Sequence, residues 1–152
     1  MKVTQELKYA VGLTPLAEMW TKEADSDFGI DIDVETHIAD MQSLIDRDNA
    51  TLLCLHSDEG VIVGYLGMVV FDNPIGVGMI ASEHNWFVHP DHRGMGSIKL
   101  LRAAQQWAKD QGCAHVVFNA SKLASGLHDT ICSIYERLGM KHFETSYISE
   151  VK

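Results

Sequence analysis

The stretch Trp86-Phe87-Val88-His89-Pro90-Asp91-His92-Arg93-Gly94-Met95-Gly96-Ser97-Ile98-Lys99-Leu100-Leu101 decides how this chain folds. An apolar run, Trp86 to Val88, stops at His89-Pro90. A loop with two glycines follows, and from Met95 the apolar spacing turns helical. The first turn of a helix has backbone N–H groups without partners, and the macrodipole puts partial positive charge there. Glycines let a bulky anion come close to those donors, so the arrangement suits a pyrophosphate. Each hydrogen bond to a charged oxygen is worth roughly 1.5–3 kcal/mol. Three or four would anchor a phosphorylated cofactor with few basic side chains. The same glycines also fit a tight turn that binds nothing. The stretch lacks both the G-x-G-x-x-G of dinucleotide folds and the Gly-Lys-Ser/Thr of a P-loop.

Downstream, Met95 to Gln111 reads as a helix with Ile98, Leu101, Ala104, Trp107 and Ala108 in one apolar stripe and Gly112 as its stop. His115 to Ala120 reads as a short buried strand. Leu127 to Leu138 reads as a helix closed by Gly139, and Lys141 to Ser149 as a last strand. Upstream, Gly78 to Val88 is a strand, and Thr51–His56 and Val61–Phe71 form a hairpin about Ser57-Asp58-Glu59-Gly60. Asp33 caps a helix carrying Ile38, Met41, Leu44 and Ile45. Thr14-Pro15 opens another with Leu16, Met19 and Trp20, and Val3 to Val11 reads as a first strand. The order β-α-α-β-β-β-α-β-α-β predicts a mixed α/β layout around one sheet.

The 152 residues fit one domain spanning positions 1–152, long enough to bury a core without disulfides or metal. The formal charge of −9, from 12 Lys+Arg against 21 Asp+Glu, argues against a nucleic-acid binder and against docking on anionic membranes. It is compatible with a cationic small substrate. Cys54, Cys113 and Cys132 show no C-x-x-C spacing, so reduced thiols are the simplest reading. The first residues lack the apolar run of a signal peptide, and no stretch approaches the roughly 18 apolar residues of a membrane span. A cytoplasmic protein is expected.

Val88-x-Pro90-x-x-Arg93-Gly94-x-Gly96 resembles the acetyl-CoA-binding motif of the GNAT superfamily of N-acyltransferases. Ile134-Tyr135-Glu136-Arg137-Leu138-Gly139-Met140-Lys141 resembles a second segment of that family, Leu-Tyr-Glu-Lys-Leu-Gly-Phe-Lys. The resemblance covers positions 50–150 in sequence and the first 50 in element order only. Two positions depart from the pattern. Ile98 stands where the family has Gly or Ala, and His128 where an Asn often opens the last helix.

The resemblance implies a GNAT-like domain: a central, mixed, mostly antiparallel sheet with one splayed parallel strand pair and helices on both faces. Acetyl-CoA, the implied cosubstrate, would wedge between the strand ending at Val88 and the one around Val116–Asn119. Trp86, Phe87, Val88 and Asn119 would flank it, and the amides of Arg93, Gly94, Met95, Gly96, Ser97 and Ile98 would hold its pyrophosphate. Tyr135 is placed as general acid, since a phenol with a pKa near 10 can share a proton with a thiol of pKa about 8.5. The base is open. Along a regular strand Val88, Trp86, His84 and Ser82 share one face, which selects His84 first and Ser82 second. Glu83 takes the position if a bulge swaps the faces, and a water relay also fits. Tyr135 and His84 equally fit ordinary structural positions.

The resemblance further implies that the first two helices and their connection wall the acceptor site. Asp25, Asp27 and Phe28 lie there with Asp31 and Asp33, and carboxylates at a site mouth attract cationic amines. A small-molecule or peptide amine is the expected acceptor, a small cationic one in particular. A solvated acidic loop fits the same residues. His84, His89 and His92 have no spacing suited to a metal, and the acidic patch lacks an EF-hand pattern, so no metal is expected. A homodimer through the last strands would suit the edge Tyr147-Ile148-Ser149. The leading reading is an acetyl-CoA-dependent N-acetyltransferase. The alternative is a degenerate acyl-CoA- or protein-binding module, which Ile98 and His128 keep open. A purely structural scaffold is a third.

Overall fold

The computed structural model describes residues 1–24, 27–124 and 126–152. Five strands, β1 (Lys2–Thr4), β2 (Ala50–His56), β3 (Ile62–Asp72), β4 (Met79–Val88) and β5 (His115–Val117), form one sheet in the order β1-β2-β3-β4-β5. All neighbours are antiparallel except β4 and β5. Helices α1 (Thr14–Glu23) and α2 (Val34–Asp46) cover one face, and α3 (Met95–Asp110) and α4 (His128–Arg137) the other.

Each face has its own core. Leu13, Leu16 and Ala17 meet Met41, Leu44, Tyr65 and Phe87 on the α1–α2 side. Leu55, Leu66, Met68 and Val88 meet Leu100, Leu101, Ala104, Trp107 and Tyr135 on the α3–α4 side. That β2 is buried over Thr51–Leu55 follows from its central place, covered by helices on both sides.

Local chemistry sets the helix ends. The Asp33 carboxylate accepts from the Thr36 amide at 2.8 Å and the Thr36 hydroxyl at 2.7 Å, so α2 starts where its cap is expected. At the other end of α4, Gly139 adopts φ +80. The Met140 amide then reaches the Tyr135 carbonyl at 3.0 Å, a left-handed glycine stop. One cap differs by a residue: α1 is preceded by Leu13, while the Thr14 hydroxyl bonds the Val11 carbonyl at 2.6 Å.

Three strand expectations need correction. The first strand is not Val3–Val11 but only Lys2–Thr4. Beyond it Gln42 of α2 takes the backbone polar groups, accepting from the Ala10 amide at 2.8 Å and donating to the Lys8 carbonyl at 3.1 Å. The chain leaves the sheet and plugs Ala10 and Leu13 into the α1–α2 core. The strand expected over His115–Ala120 ends at Val117, because Asn119 turns to bond Glu83 of β4. Residues 141–149 form no strand, and Tyr147 is 94% exposed. Their apolar residues, Phe143, Tyr147 and Ile148, do not alternate and are all exposed, so no buried face holds the segment on the sheet. The apolar stripe of α3 is also shifted: Ser97, Leu100 and Leu101 are buried, while Ile98 falls beside a cleft.

Candidate active site

Parallel pairing between β4 and β5 runs from Ile80↔His115 to Ser82↔Val117 and stops. Strand β4 continues from Glu83 to Val88 with no β5 residue beside it. This divergence opens a cleft of about 800 Å³ between the end of β4, the start of α3 and one side of α4. Trp86, Phe87 and Val88 form its β4 wall, and Ile131 and Ile134 its α4 wall.

The glycine loop closes one end. Gly94 precedes α3 with φ +79, a conformation that favours glycine. The Ile98 amide bonds the Gly94 carbonyl at 3.0 Å and the Arg93 amide the Pro90 carbonyl at 3.4 Å. Helical geometry leaves the amides of Gly94, Met95, Gly96 and Ser97 without intrahelical partners, and among the described residues none bonds another backbone group. Of the six amides expected to face an anion, those of Arg93 and Ile98 are bonded to backbone carbonyls. Lys99, Arg102 and Arg137 line the same cleft and add positive charge. A β-carbon on Gly96 would lie 2.8 Å from Leu55, so this glycine lets α3 approach β2. The unpaired β4 edge, the free amides and these cations fit a CoA thioester, with its amide-bearing arm and its phosphates. Ile98 lines the cleft without closing it.

At the apex of the divergence, Glu83 is buried at 7% exposure. It reaches this position because β4 carries a bulge. Gly67 pairs with Asn85 and Met68 with Glu83, leaving His84 as an extra residue. The bulge moves Glu83 onto the face of Trp86 and Val88, toward α4, and sends His84 toward α2. The regular alternation that favoured His84 is thereby overturned. The His84 Nε2 lies 2.7 Å from Asp40 Oδ2, both half-exposed. Ser82 directs its hydroxyl to the Glu83 carbonyl at 3.2 Å.

Asn119 connects Glu83 to Tyr135. Its amide donates to Glu83 Oε2 at 3.1 Å, and its Nδ2 donates to the Glu83 carbonyl at 3.1 Å and to Oε2 at 3.2 Å. The Tyr135 hydroxyl donates to the Asn119 carbonyl at 2.8 Å. Asn119, expected against the cofactor, therefore has its side chain committed to Glu83. Burial pushes the Glu83 carboxyl up to about 7, against the pull of the Asn119 hydrogen bonds and of His84. Burial and then the Glu83 charge raise Tyr135, while a side-chain hydrogen bond with Trp86 opposes them. Near pH 7 Glu83 can accept a proton, and Tyr135 holds one.

On the α1–α2 side, Trp20 stacks on His37 with ring centroids 4.2 Å apart and planes 15° from parallel. The His37 Nε2 lies 2.7 Å from the Tyr65 hydroxyl. Burial lowers the His37 pKa, with Asp40 opposing and His84 adding to the effect. The Asn85 amide is buried beside Gly67 with no hydrogen-bond partner among the described residues. Asp27 is exposed and Phe28 half-buried, and neither lines the cleft; Asp25 lies outside the described residues. Glu23, His37, Asp40 and Asn85 gave no signal in the sequence, since each depends on tertiary placement. Lys99 and Arg102 did carry one: they sit three apart, directly after the glycine loop.

Among the described residues there is no group of three His, Cys, Asp or Glu side chains suited to hold a metal, and no helix long and apolar enough to cross a membrane. The sequence pattern of the Acetyltransferase (GNAT) family matches residues 16–140. This chain belongs to the GNAT acetyltransferase family. It is 25% identical over 142 residues to N-acetyltransferase 8B of Homo sapiens, covering 93% of this chain and 60% of that protein. The chain thus spans well under the full length of that relative. Its fold is shared with a ribosomal-protein-alanine N-acetyltransferase from Brucella melitensis biovar Abortus 2308, at TM-score 0.73 and 18% identity over 99% of this chain and 100% of that one. It is also shared with AAC(6')-Iy in complex with the bisubstrate analogue CoA-S-monomethyl-acetylneamine, at TM-score 0.72 and 17% identity over 99% and 97%.

Proposed function

We propose that this protein transfers the acetyl group of acetyl-CoA to a primary amine of a small, cationic acceptor, with Glu83 as base and Tyr135 as acid. The observation that carries the reading is the convergence of Glu83 and Tyr135 on Asn119 at the apex of the strand divergence. When bound, the cosubstrate supplies an activated thioester. The amides of Gly94 to Ser97 hold its pyrophosphate, and the unpaired edge of β4 holds its arm. Glu83 takes the proton that the acceptor ammonium must lose before its nitrogen can attack the acyl carbon. The C–N bond forms as the C–S bond breaks, Tyr135 gives its proton to the departing sulfur, and the new amide nitrogen loses its second proton to the Tyr135 oxygen.

The two proton steps assist each other. The Glu83 carboxylate is one of the causes that raise Tyr135. Once Glu83 is protonated that charge is gone, and Tyr135 becomes a stronger acid as the thiolate needs its proton. General acid–base help of this kind is worth roughly 10²–10⁴-fold. His84, paired with Asp40, faces the acceptor side and is assigned no proton transfer at the thioester.

The excess of acidic residues supports a cationic acceptor. The neamine-derived analogue bound by the structurally similar AAC(6')-Iy is consistent with it. The test is calorimetric titration with acetyl-CoA and CoA, followed by thiol release with a panel of polyamines, amino sugars and lysine-like amines. Micromolar acetyl-CoA binding with amine-dependent thiol release is expected. Tight binding without release to any amine would make the protein an acyl-CoA-binding module, and no binding at millimolar ligand would overturn the reading altogether.

A further inference from the structure

The last turns of α1 join the cofactor end of the cleft to the acceptor side. Glu23 accepts from Arg93 Nη2 on both carboxylate oxygens, at 2.9 Å and 2.7 Å. The Arg93 Nε donates to the Val88 carbonyl at 2.9 Å, and its guanidinium carbon sits 5.4 Å from the centre of the Phe87 ring. The side chain just before the glycine loop thus ties the end of β4 to the end of α1. Three residues earlier on α1, Trp20 lines the same cleft and stacks on His37 of α2. Residues three apart on a helix share a face, so the Arg93–Glu23 pair fixes the turn that carries Trp20.

Glu23 also brings a negative charge into a cleft otherwise lined by Arg93, Lys99, Arg102 and Arg137. A carboxylate there opposes a diphosphate, and it neutralises the arginine beside the amide cradle. Its presence calls for a gain elsewhere, and the geometry places that gain at the acceptor wall.

We infer that Glu23 is a positioning residue: by holding Arg93 it fixes the Trp20–His37 wall for the acceptor, at a cost in cofactor affinity. The inference rests on the acetyltransferase reading. It predicts effects of opposite sign from one substitution. In Glu23→Gln the Arg93 charge is released toward the diphosphate and α1 loses its anchor. The Kd for acetyl-CoA should fall about 3- to 10-fold, the size of one partly exposed charge contact. The KM for the amine should rise about 10-fold, with kcat within about twofold, as for lost positioning that acts on binding. Glu23→Asp keeps the charge on a shorter arm, so it should restore the wild-type Kd while recovering only part of the amine KM.

Calorimetry with acetyl-CoA reads the first effect without turnover, and thiol-release kinetics read the second. A merely structural role would weaken both ligands together or neither, and either pattern in Glu23→Gln would overturn the inference. So would a Glu23→Asp variant that behaves like Glu23→Gln in cofactor affinity. If the wild-type protein binds acetyl-CoA and turns over amines while these signs fail, only the positioning role is lost. If the wild type binds no acetyl-CoA, the acetyltransferase reading falls first.

Discussion

Glu83 and Tyr135 hold opposite ends of one residue: the Asn119 amide donates to the Glu83 carboxylate at 3.1 Å, and the Asn119 carbonyl accepts the Tyr135 hydroxyl at 2.8 Å. The linkage keeps the two side chains at a fixed separation, and the charge of Glu83 acts on Tyr135. Neither group has to be carried in by a moving loop.

Replacing Tyr135 by Phe removes the proton donor and leaves the ring, which packs beside Phe118 at 5.9 Å between centroids. Turnover should drop by roughly 10²–10⁴-fold while acetyl-CoA affinity stays within about threefold. Thiol-release kinetics and calorimetry on the same preparation check this. An unchanged kcat would remove Tyr135 from the chemistry.

The raised carboxyl of Glu83 fixes the pH dependence of rate and of stability. The base must be ionised, so kcat/KM should climb with pH through about 7 and then level off. Stability runs the other way. With a folded pKa of about 7 against an ordinary value of 4.5, the native state holds more protons than the unfolded chain between those values. Stability from this group is full below the lower value and is lost as pH rises through the upper, by a total on the order of 3 kcal/mol. Glu83→Gln should abolish most turnover, flatten the acidic limb and raise the Tm at pH 8 above that of wild type. A Tm lowered equally at pH 5 and pH 8 would contradict the assignment.

The bulge in β4 makes His84 and Glu83 unequal although they are adjacent. His84 is half-exposed and paired with Asp40 on the acceptor side. His84→Ala therefore removes an exposed pair worth about 0–1 kcal/mol, and kcat should stay within about fivefold. Should His84→Ala lose as much rate as Glu83→Gln, the proton would have to leave through the imidazole instead.

This contrast also marks how far the sequence could be read. The strand–glycine loop–helix order, the Asp33 cap and the β2–β3 hairpin follow from local pattern, and the structure has them. The face of Glu83 does not, because one extra residue in β4 inverts the alternation and nothing local to Ser82–Asn85 announces it. The partner of Arg93 is equally hidden, since Glu23 lies seventy positions away. Residues 141–149 fail for a related reason. Their apolar residues, Phe143, Tyr147 and Ile148, all remain exposed, and a strand is stable where such residues find a surface to pack on.

The two glycines of the loop should fail differently when changed to alanine. At Gly94 there is open space around an added β-carbon, but φ is +79. The cost is in the backbone: φ +79 with ψ −103 lies outside every region open to a residue with a β-carbon, so alanine must shift the turn. Relaxing it would turn the amides of Met95 and Gly96 away from the anion. Gly94→Ala should therefore weaken acetyl-CoA binding with little change in amine KM. At Gly96 the backbone is helical, and the added carbon would lie 2.8 Å from Leu55 Cδ2 in the core beneath α3. Overpacking there costs typically about 1–3 kcal/mol, so Gly96→Ala should lower the Tm by several degrees and disturb cofactor and amine binding alike. Paired calorimetry and thermal melts separate the two. A Gly94→Ala protein with wild-type acetyl-CoA affinity would mean that the free amides at the start of α3 are not what holds the diphosphate.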